Sequence, residues 1–182
     1  MFKPIATEIP GCYEILPGVA DDARGRFVKV FHRAAFGELH LETEFAEEYY
    51  SVSRKRVVRG FHFQSPPADH VKMVYCVYGW VMDAVVDLRV GSPTFQKTAV
   101  FDLSATKGNL VYIPKGLAHG FCTLSDEAIL VYKVSTVYSP ENDSGILWNS
   151  AGVNWPVDQP VISDRDRGFP GLAEFRSPFS YE

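Results

Sequence analysis

Apolar and polar positions alternate in short runs along most of this chain, which predicts an all-β protein. From Phe27 onward, runs rich in Val, Ile, Phe and Tyr recur at roughly regular spacing between Gly, Pro, Ser and Asp. The predicted strands are 27–31, 49–53, 57–64, 72–77, 81–88, 96–103, 109–113 and 128–137. A helical turn or two is predicted at 34–39, and the region after Gly152 is too rich in Pro, Asp and Gly for long elements.

Strands without long helices between them need a second sheet, because each strand has an apolar face to cover. The pattern therefore favours a jelly-roll barrel of two packed antiparallel sheets with short peripheral helical turns, in one domain spanning residues 1–182. Asp83 and Asp87 share a strand face with Val81 and Val85, because they are separated by even numbers of residues. At least one of these acids is expected to point inward, where it needs a cationic or hydrogen-bonding partner, unless a bulge turns it out.

The charge balance is mildly acidic, with 22 Asp and Glu against 18 Lys and Arg. This composition offers no basic surface to a nucleic acid or an anionic membrane, so we expect neither as a partner. The cysteines Cys12, Cys76 and Cys122 lack metal-ligand spacing and fit a reduced protein. Prolines and a glutamate interrupt residues 1–10, where an export signal needs an unbroken apolar stretch, and no later run reaches membrane-spanning length. We therefore expect a cytoplasmic protein.

Two strand-like segments each hold a histidine among aromatic residues. They are Arg59-Gly-Phe-His62-Phe-Gln64 and Ile113-Pro-Lys-Gly-Leu-Ala-His119-Gly-Phe121. Packing against aromatic rings removes hydration and favours the neutral imidazole, which is able to accept a proton near pH 7. His62 and Gln64 lie on one strand face, so they form a polar pair among bulky neighbours. Either histidine is a candidate general base, and a core histidine bonded to the backbone is the simpler alternative.

Other polar side chains in strand-like segments join these candidates. Arg59, Lys72 and Tyr132 are expected to line the inside of the same barrel. Taken singly, a solvated lysine at a strand entry and a packed tyrosine with a tethered hydroxyl are the ordinary interpretations. As a functional group, the Tyr132 phenol is a candidate proton donor.

The sequence does not favour a catalytic metal. Small β-barrels often bind metals through a His-x-His pair with a carboxylate and a later histidine, but His62 is followed by Phe63 and Gln64. His70 is separated from His62 by a Pro66-Pro67 turn. Neither a Gly-x-Ser-x-Gly motif nor a P-loop occurs in the chain. We therefore expect neither a metal nor a cofactor.

Several ordered motifs together resemble the dTDP-4-dehydrorhamnose 3,5-epimerase family. They are Arg59-Gly-Phe-His62-Phe-Gln, Val86-Asp-Leu-Arg89 with Ser92-Pro-Thr-Phe95, Ile113-Pro-x-Gly-x-Ala-His119-Gly-Phe, Tyr132-Lys-Val-Ser and Gly145-Ile-Leu-Trp148-Asn149. The matches keep their order from Arg24-Gly25-x-Phe27 to Ser163-Asp-Arg-Asp166 and so cover nearly the whole chain. The resemblance implies a cupin-type jelly roll that works as a homodimer without metal. It also implies a substrate class, a 4-keto-6-deoxy sugar linked to a nucleoside diphosphate and inverted at the carbons flanking its C4 ketone.

The resemblance assigns catalytic roles to individual residues. It implies that His62 removes the acidic proton and that Asp166 orients the imidazole and stabilises its charged form. Lys72 is implied to steady the enolate oxygen, and Tyr132 to return a proton from the opposite face. Substrate contacts are implied for Arg24, Arg59 and His119, and on looser matches for Phe27, Tyr138, Asp143 and Arg165. Gln64, on the His62 face, is predicted to contact the substrate as well.

The chain departs from the family pattern at two charged positions. Glu47-Glu48-Tyr49-Tyr50-Ser51 stands where the family usually has Gln-x-Asn before a serine, amides that help to read the nucleotide base. An ionised glutamate accepts hydrogen bonds but cannot donate them, so the base edge that it pairs with changes. Lys29 stands where the family commonly has an acid. Both positions are predicted to contact the substrate. Either the nucleotide is not thymidine diphosphate, or the charges of Lys29 and Glu47 compensate each other in a swapped dimer contact.

Three other functions remain open on the sequence alone. An enzyme that inverts only C3 needs the same residues, if the intermediate is released before the second proton moves. A non-catalytic sugar-nucleotide-binding cupin does not require a matched base and acid. A metal-dependent cupin oxygenase or isomerase requires stoichiometric metal in the purified protein.

Overall fold

The computed structural model describes residues 2–181, and the regular structure in them is mostly β. The strands are β1 Lys3–Ala6, β2 Tyr13–Leu16, β3 Val19–Asp22, β4 Gly25–Val28, β5 Glu47–Arg54, β6 Val58–Gln64, β7 Lys72–Tyr78, β8 Trp80–Asp87, β9 Thr98–Ser104, β10 Leu110–Ile113, β11 Leu117–Thr123, β12 Glu127–Val134 and β13 Asp143–Gly145. The helices are α1 Arg33–Glu38 and α2 Asp164–Arg167. None of the helices within residues 2–181 has both the length and the apolar character needed to span a membrane.

Two antiparallel sheets pack face to face. One has the strand order β1-β2-β10-β7-β12-β5, and the other has the order β13-β6-β11-β8-β9. The apolar core between them contains Val74 and Leu130 from the first sheet and Val85 and Phe121 from the second. The all-β, cupin-type architecture predicted from the sequence is therefore confirmed. A third unit, the two-stranded ribbon of β3 and β4, pairs with neither sheet.

Peripheral segments cover the outer faces of both sheets. Helix α1 places the buried Phe36 against Met73 and Tyr112 of the six-stranded sheet. The His32 side chain caps this helix by accepting a hydrogen bond from the backbone N–H of Ala35. On the other side, Ile146 and further residues of the C-terminal region pack on the five-stranded sheet. The C-terminal region thus covers the outer face of the five-stranded sheet and has little regular structure of its own, as its composition predicted.

Most predicted strands are observed, with errors at some of their ends. The strand predicted at 27–31 ends at Val28, and the one predicted at 128–137 ends at Val134. The strands β1, β2, β3, β11 and β13 are absent from the predicted set. Four of these are short, every residue of β3 is exposed and every residue of β11 is buried, so no alternation of burial marks either of the last two in the sequence. The strand-like setting predicted for His119 is confirmed, because His119 lies within β11.

The two acids of β8 both point inward and both have partners. Asp83 is fully buried, and its Oδ2 lies 2.7 Å from Nε2 of His119. Asp87 is also fully buried and accepts hydrogen bonds from the guanidinium of Arg89 at 2.8 and 2.9 Å. This confirms the expected partners of the interior acids, although Oδ1 of Asp83 has no hydrogen-bond partner within residues 2–181.

A close approach of two glycines brings β6 and β11 together where the histidines lie. A Cβ on Gly60 would lie 2.4 Å from Cα of Gly120, and the φ angle of Gly60 is +131°. Only glycine tolerates both the contact and the backbone conformation. In the resulting register His62 pairs directly with His119, so the two histidine segments of the sequence become neighbours in one sheet.

Candidate active site

A cavity of about 400 Å³ lies between the two sheets. Residues from both sheets and from the loops after β12 line it. The predicted site residues found in its wall are Glu47, Arg59, His62, Gln64, Lys72, His119, Tyr132, Tyr138, Asp143 and Arg165. The sequence analysis missed Tyr49, Ser51, His70 and Thr136, which also line it. Tyr49 and Ser51 follow Glu47 at even spacing on β5, so strand periodicity could have found them.

His62 forms a hydrogen-bonded pair with a buried aspartate behind the cavity wall. Nε2 of His62 lies 2.8 Å from Oδ1 of Asp166, whose other oxygen accepts a hydrogen bond from the backbone N–H of Gly60. Burial works to raise the pKa of Asp166, but the hydrogen bonds from His62 and Gly60 outweigh it and leave that pKa lowered. An ionised Asp166 holds the proton of His62 on Nε2, which leaves the Nδ1 lone pair free to accept a proton.

The pairing of His62 with Asp166 depends on the C-terminal region. Asp166 lies in α2, and the side chain of Ser163 caps this short helix by accepting a hydrogen bond from the backbone N–H of Asp166. Val57 next to β6 forms a bridge with Val161, which brings the segment before α2 alongside the strand that carries His62. The C-terminal region therefore positions the carboxylate of Asp166 beside His62.

Lys72 is a buried cation in the cavity wall. Its side chain is 8% exposed, and within residues 2–181 it has neither a hydrogen bond nor an ion pair at the distances that define one. Burial lowers the pKa of Lys72 to about 8, although the charges of Asp143 and Asp83 oppose the shift. The ammonium is thus charged at neutral pH and available to an anion in the cavity.

Tyr132 presents a protonated phenol to the same cavity. Its hydroxyl lies 3.0 Å from that of Ser51, and its ring stacks on Tyr49 with a centroid separation of 5.0 Å. Burial raises the pKa of Tyr132, so the phenol keeps its proton at neutral pH. The stacked ring and the serine fix the position of a group that can donate this proton.

His119 lies in a different environment from His62 and does not share its role. It is 4% exposed, and Asp83 holds its Nε2. Burial lowers the pKa of His119, against the opposing effect of Asp83. Its ring packs edge-on against Tyr132 with centroids 6.2 Å apart. The arrangement fits a neutral residue that shapes the cavity.

One end of the cavity is an ion-pair cluster. Arg165 lies 2.7 Å from Asp143, and the hydroxyl of Tyr138 donates to the same carboxylate at 3.1 Å. Glu47 accepts a hydrogen bond from the backbone N–H of Tyr138 at 3.0 Å. Arg59 is held by the Ser53 hydroxyl at 3.0 Å. These side chains make this end of the cavity polar and provide both hydrogen-bond donors and hydrogen-bond acceptors.

Gln64 lines the cavity, but its amide is already engaged by the backbone. Its Nε2 donates to the carbonyl of Ala68 at 2.7 Å, and its Oε1 accepts from the N–H of Ser139 at 2.7 Å. These bonds hold two loops to β6. Gln64 therefore supports the wall, and its predicted substrate contact would require one of these bonds to open.

Three predicted site residues lie outside the cavity of their own chain. Arg24 and Phe27 are in the ribbon of β3 and β4, and Lys29 follows it directly. The Arg24 side chain is 90% exposed and pairs with Asp22, and Phe27 is 63% exposed. Within their own chain these residues do not line the cavity, because the ribbon pairs with neither sheet and lies instead against the β9–β10 turn, where Arg26 donates to the carbonyl of Thr106. Their contact with the substrate stays a prediction.

No cluster of metal-ligating residues appears in the part of the chain that the structure describes. Within residues 2–181, no group of three or more His, Cys, Asp or Glu side chains comes together in a way that could hold a metal ion.

An isomerase that acts through an enolate requires a base, an acid and a cation near the developing negative charge. The lumen of this cupin-like barrel holds these groups as a histidine with a free nitrogen, a protonated phenol and a buried ammonium. Comparison with known proteins makes this class specific. The family model described as dTDP-4-dehydrorhamnose 3,5-epimerase matches residues 6–174. The chain belongs to the dTDP-4-dehydrorhamnose 3,5-epimerase family, whose members are sugar-nucleotide epimerases.

Individual relatives agree with this assignment. A dTDP-4-dehydrorhamnose 3,5-epimerase from Shigella flexneri is 44% identical over 165 residues, which cover 89% of this chain and 91% of the relative. A dTDP-4-dehydrorhamnose 3-epimerase from Streptomyces niveus is 40% identical over 177 residues, 96% of this chain and 84% of the relative. The crystal structure of dTDP-6-deoxy-D-glucose-3,5-epimerase from Legionella pneumophila, in complex with dTDP-4-keto-L-rhamnose, matches with a TM-score of 0.95 and 33% identity over 100% of both chains.

Proposed function

We propose that this protein inverts C3 and C5 of a 4-keto-6-deoxyhexose linked to a nucleoside diphosphate. The observation that carries the proposal is the presence in one cavity of His62 with a free Nδ1, the unpaired ammonium of Lys72 and the protonated phenol of Tyr132. Binding a sugar nucleotide without reacting would require none of the three in this state. The non-catalytic alternative therefore explains less of the site.

The first step is the removal of a proton next to the ketone. The C–H bond at C3 or C5 breaks, its proton passes to Nδ1 of His62, and its electron pair forms a double bond to C4. The C4 carbonyl bond opens at the same time and leaves negative charge on the C4 oxygen. Lys72 stabilises this enolate because its ammonium is already in place and poorly hydrated. Asp166 stabilises the imidazolium that results.

The second step returns a proton to the other face of the same carbon. A single group that removed and returned the proton would regenerate the starting configuration, so inversion needs two groups. In our proposal the O–H of Tyr132 gives its proton to the carbon and the ketone re-forms. The imidazolium of His62 then releases its proton to solvent and the phenolate of Tyr132 regains one, which resets both groups. Each transfer by a positioned group contributes about 10²- to 10⁴-fold in rate.

Epimerisation in deuterated water tests the reaction directly. Each carbon that is inverted exchanges its proton for one derived from solvent, so we expect the product to carry deuterium at both C3 and C5, measured by mass spectrometry and NMR. Deuterium at C3 alone would instead support a C3-only epimerase, the activity named for the relative from Streptomyces niveus. A product free of deuterium would contradict the enolate mechanism.

We further propose that the protein is a homodimer in which each ribbon reaches the cavity of the other subunit. The ribbon leaves Arg24 and Phe27 exposed, while Arg26 ties it to its own chain by donating to the carbonyl of Thr106. An exposed phenylalanine is apolar surface that a second subunit covers when it binds there. The planar guanidinium of Arg24 suits a diphosphate because it bonds two oxygens at once. A subunit exchange also brings Lys29 of one copy to the cavity whose wall contains Glu47, so that the two unusual charges offset each other.

Hybrid dimers test this arrangement. One subunit carries R24A together with F27A, the other carries H62N, and two affinity tags select the mixed dimer. We expect each parent dimer to be nearly inactive and the hybrid to recover up to half of the wild-type activity, because one of its two sites then has both an intact base and an intact ribbon. A hybrid as inactive as its parents would contradict the exchange of ribbons.

A further inference from the structure

Ser51 supplies the one hydrogen bond that the phenol of Tyr132 makes within residues 2–181. Its Oγ atom lies 3.0 Å from the phenolic oxygen, and both side chains line the cavity. Neither hydroxyl has another hydrogen-bond partner in the part of the chain that the structure describes. When Tyr132 gives up its proton, it leaves a phenolate in a buried position, and Ser51 is the group beside that charge.

The ring of Tyr132 is held by contacts that do not involve Ser51. Tyr49 of β5 is the direct cross-strand partner of Tyr132 on β12, and the two rings stack with centroids 5.0 Å apart. The ring of His119 packs edge-on against Tyr132 at 6.2 Å. In a ring fixed in this way, the hydroxyl hydrogen still rotates about the C–O bond. Ser51 therefore acts on the direction of a proton rather than on the position of the ring.

Inversion requires a particular direction for the hydrogen bond between the two hydroxyls. Each hydroxyl has one proton to donate and lone pairs that accept. If Tyr132 donates to Ser51, its proton is engaged and does not reach the substrate carbon. If Ser51 donates to Tyr132, the phenol proton is free for the carbon, and the phenolate that forms keeps a hydrogen bond. Only the second arrangement is productive.

The phenolate gains more from the Ser51 hydroxyl than the neutral phenol does. Burial raises the pKa of Tyr132 and so disfavours the phenolate, whereas the hydrogen bond with Ser51 opposes this shift. Hydrogen bonds to charged groups are stronger than those between neutral groups. The bond from Ser51 therefore strengthens as the proton leaves Tyr132. An interaction that is stronger in the transition state than in the bound substrate raises kcat rather than affinity.

We propose that Ser51 is a positioning residue whose hydroxyl donates to the phenolic oxygen of Tyr132 and directs the enolate towards inversion. The inference rests on the proposed function. The enolate has two fates, because it can regain a proton from the imidazolium of His62, which restores the starting configuration, or take the proton of Tyr132, which inverts the carbon. Ser51 stabilises only the second path. Its own O–H bond stays intact, and the electron pair of the broken phenol O–H bond remains on the oxygen of Tyr132.

Two variants at this position test the role of the hydroxyl. S51A removes it, and S51T restores it on a residue that suits a strand. The substrate is dTDP-4-keto-6-deoxyglucose, and epimerisation is followed by NMR. We expect S51A to lower kcat by about ten- to hundred-fold, the loss typical of one hydrogen bond to a charged group, with KM unchanged. S51T should recover most of this loss. An S51T protein as impaired as S51A would show that the hydroxyl is not the cause.

A double-mutant cycle tests whether Ser51 acts through Tyr132. In the Y132F protein the phenol oxygen is absent, so adding S51A should not reduce the residual inversion further, measured at high enzyme concentration. The affinity of S51A for dTDP, measured by titration calorimetry, should equal that of the wild type. A further loss in the Y132F background, or weaker binding of dTDP, would overturn the proposal, because Ser51 would then contact the substrate itself. A wild-type protein that binds this substrate without epimerising it would instead contradict the proposed function.

Discussion

Replacing His62 with asparagine is expected to reduce both epimerisation and the exchange of the substrate's C3 and C5 protons with solvent by about 10²- to 10⁴-fold. Asparagine is a neutral polar side chain, and it has no basic nitrogen to accept the proton. The exchange reaction is the sharper measurement, because it reports proton removal even when inversion fails. Exchange is followed by the loss of the C3–H and C5–H signals in deuterated water.

The matched control is the same substitution at an exposed histidine outside the cavity. His32 lies at the N-cap of α1, and asparagine is as good a capping residue there. H32N should therefore exchange and epimerise like the wild type. If H62N exchanged both protons at the wild-type rate, His62 would not be the base, and the roles given to His62 and Asp166 would both fail.

Replacing Lys72 with methionine is expected to lower activity and to raise stability. Loss of a pre-positioned charge next to a developing oxyanion typically costs about 10²- to 10³-fold in kcat. The same charge is unfavourable for folding, because burial lowers its pKa from 10.5 to about 8. Each pKa unit corresponds to about 1.4 kcal/mol, so removal of the ammonium should raise the free energy of unfolding at pH 7 by about 1 to 3 kcal/mol.

The gain in stability should depend on pH in a defined direction. At pH 7 the lysine is protonated in both the folded and the unfolded chain, so its full burial cost is present. Above pH 8 the folded state releases the proton first, and the unfolded state keeps it until about pH 10.5. Over that window the wild type becomes more stable with rising pH, and the advantage of K72M should shrink. Denaturant unfolding of both proteins between pH 7 and 10 measures the change.

An exposed lysine supplies the control for both effects. Lys97 is exposed in the turn before β9, so K97M should keep full activity and change the free energy of unfolding by less than about 0.5 kcal/mol. A K72M protein with normal turnover would show that Lys72 does not stabilise the enolate. A K72M protein less stable than the wild type at pH 7 would show that its charge is compensated in the fold.

Strand periodicity and the family resemblance predicted much of the candidate site. Alternation predicted at least one of Asp83 and Asp87 inside, and His62, Lys72 and Tyr132 line one cavity, as predicted. Residue patterns by themselves did not separate His62 from His119. The difference comes from their partners, because Asp166 leaves Nδ1 of His62 free at the cavity, whereas burial beside Asp83 keeps His119 in the wall.

His70 shows where the sequence reasoning stopped short. In the sequence His70 was considered only as a metal ligand and set aside, because a proline turn separates it from His62. Its place in the cavity wall depends on contacts with Gln64 and Thr136, and Thr136 lies 66 residues away along the chain. A buried nitrogen without a hydrogen-bond partner, such as Nε2 of His70, has no local sequence pattern, because it is recognised only from the atoms around it in the fold.

The sequence alone determined the all-β class and the residues available for chemistry, because strand alternation and short motifs depend on neighbours a few positions apart. Only the tertiary structure decided which of those residues share a cavity and in which protonation state. Pairing across 104 residues sets the tautomer of His62, and burial sets the pKa of Lys72 and Tyr132. It also separated the ribbon of Arg24, Phe27 and Lys29 from the cavity of its own chain, because hydration and distance are properties of the folded surface.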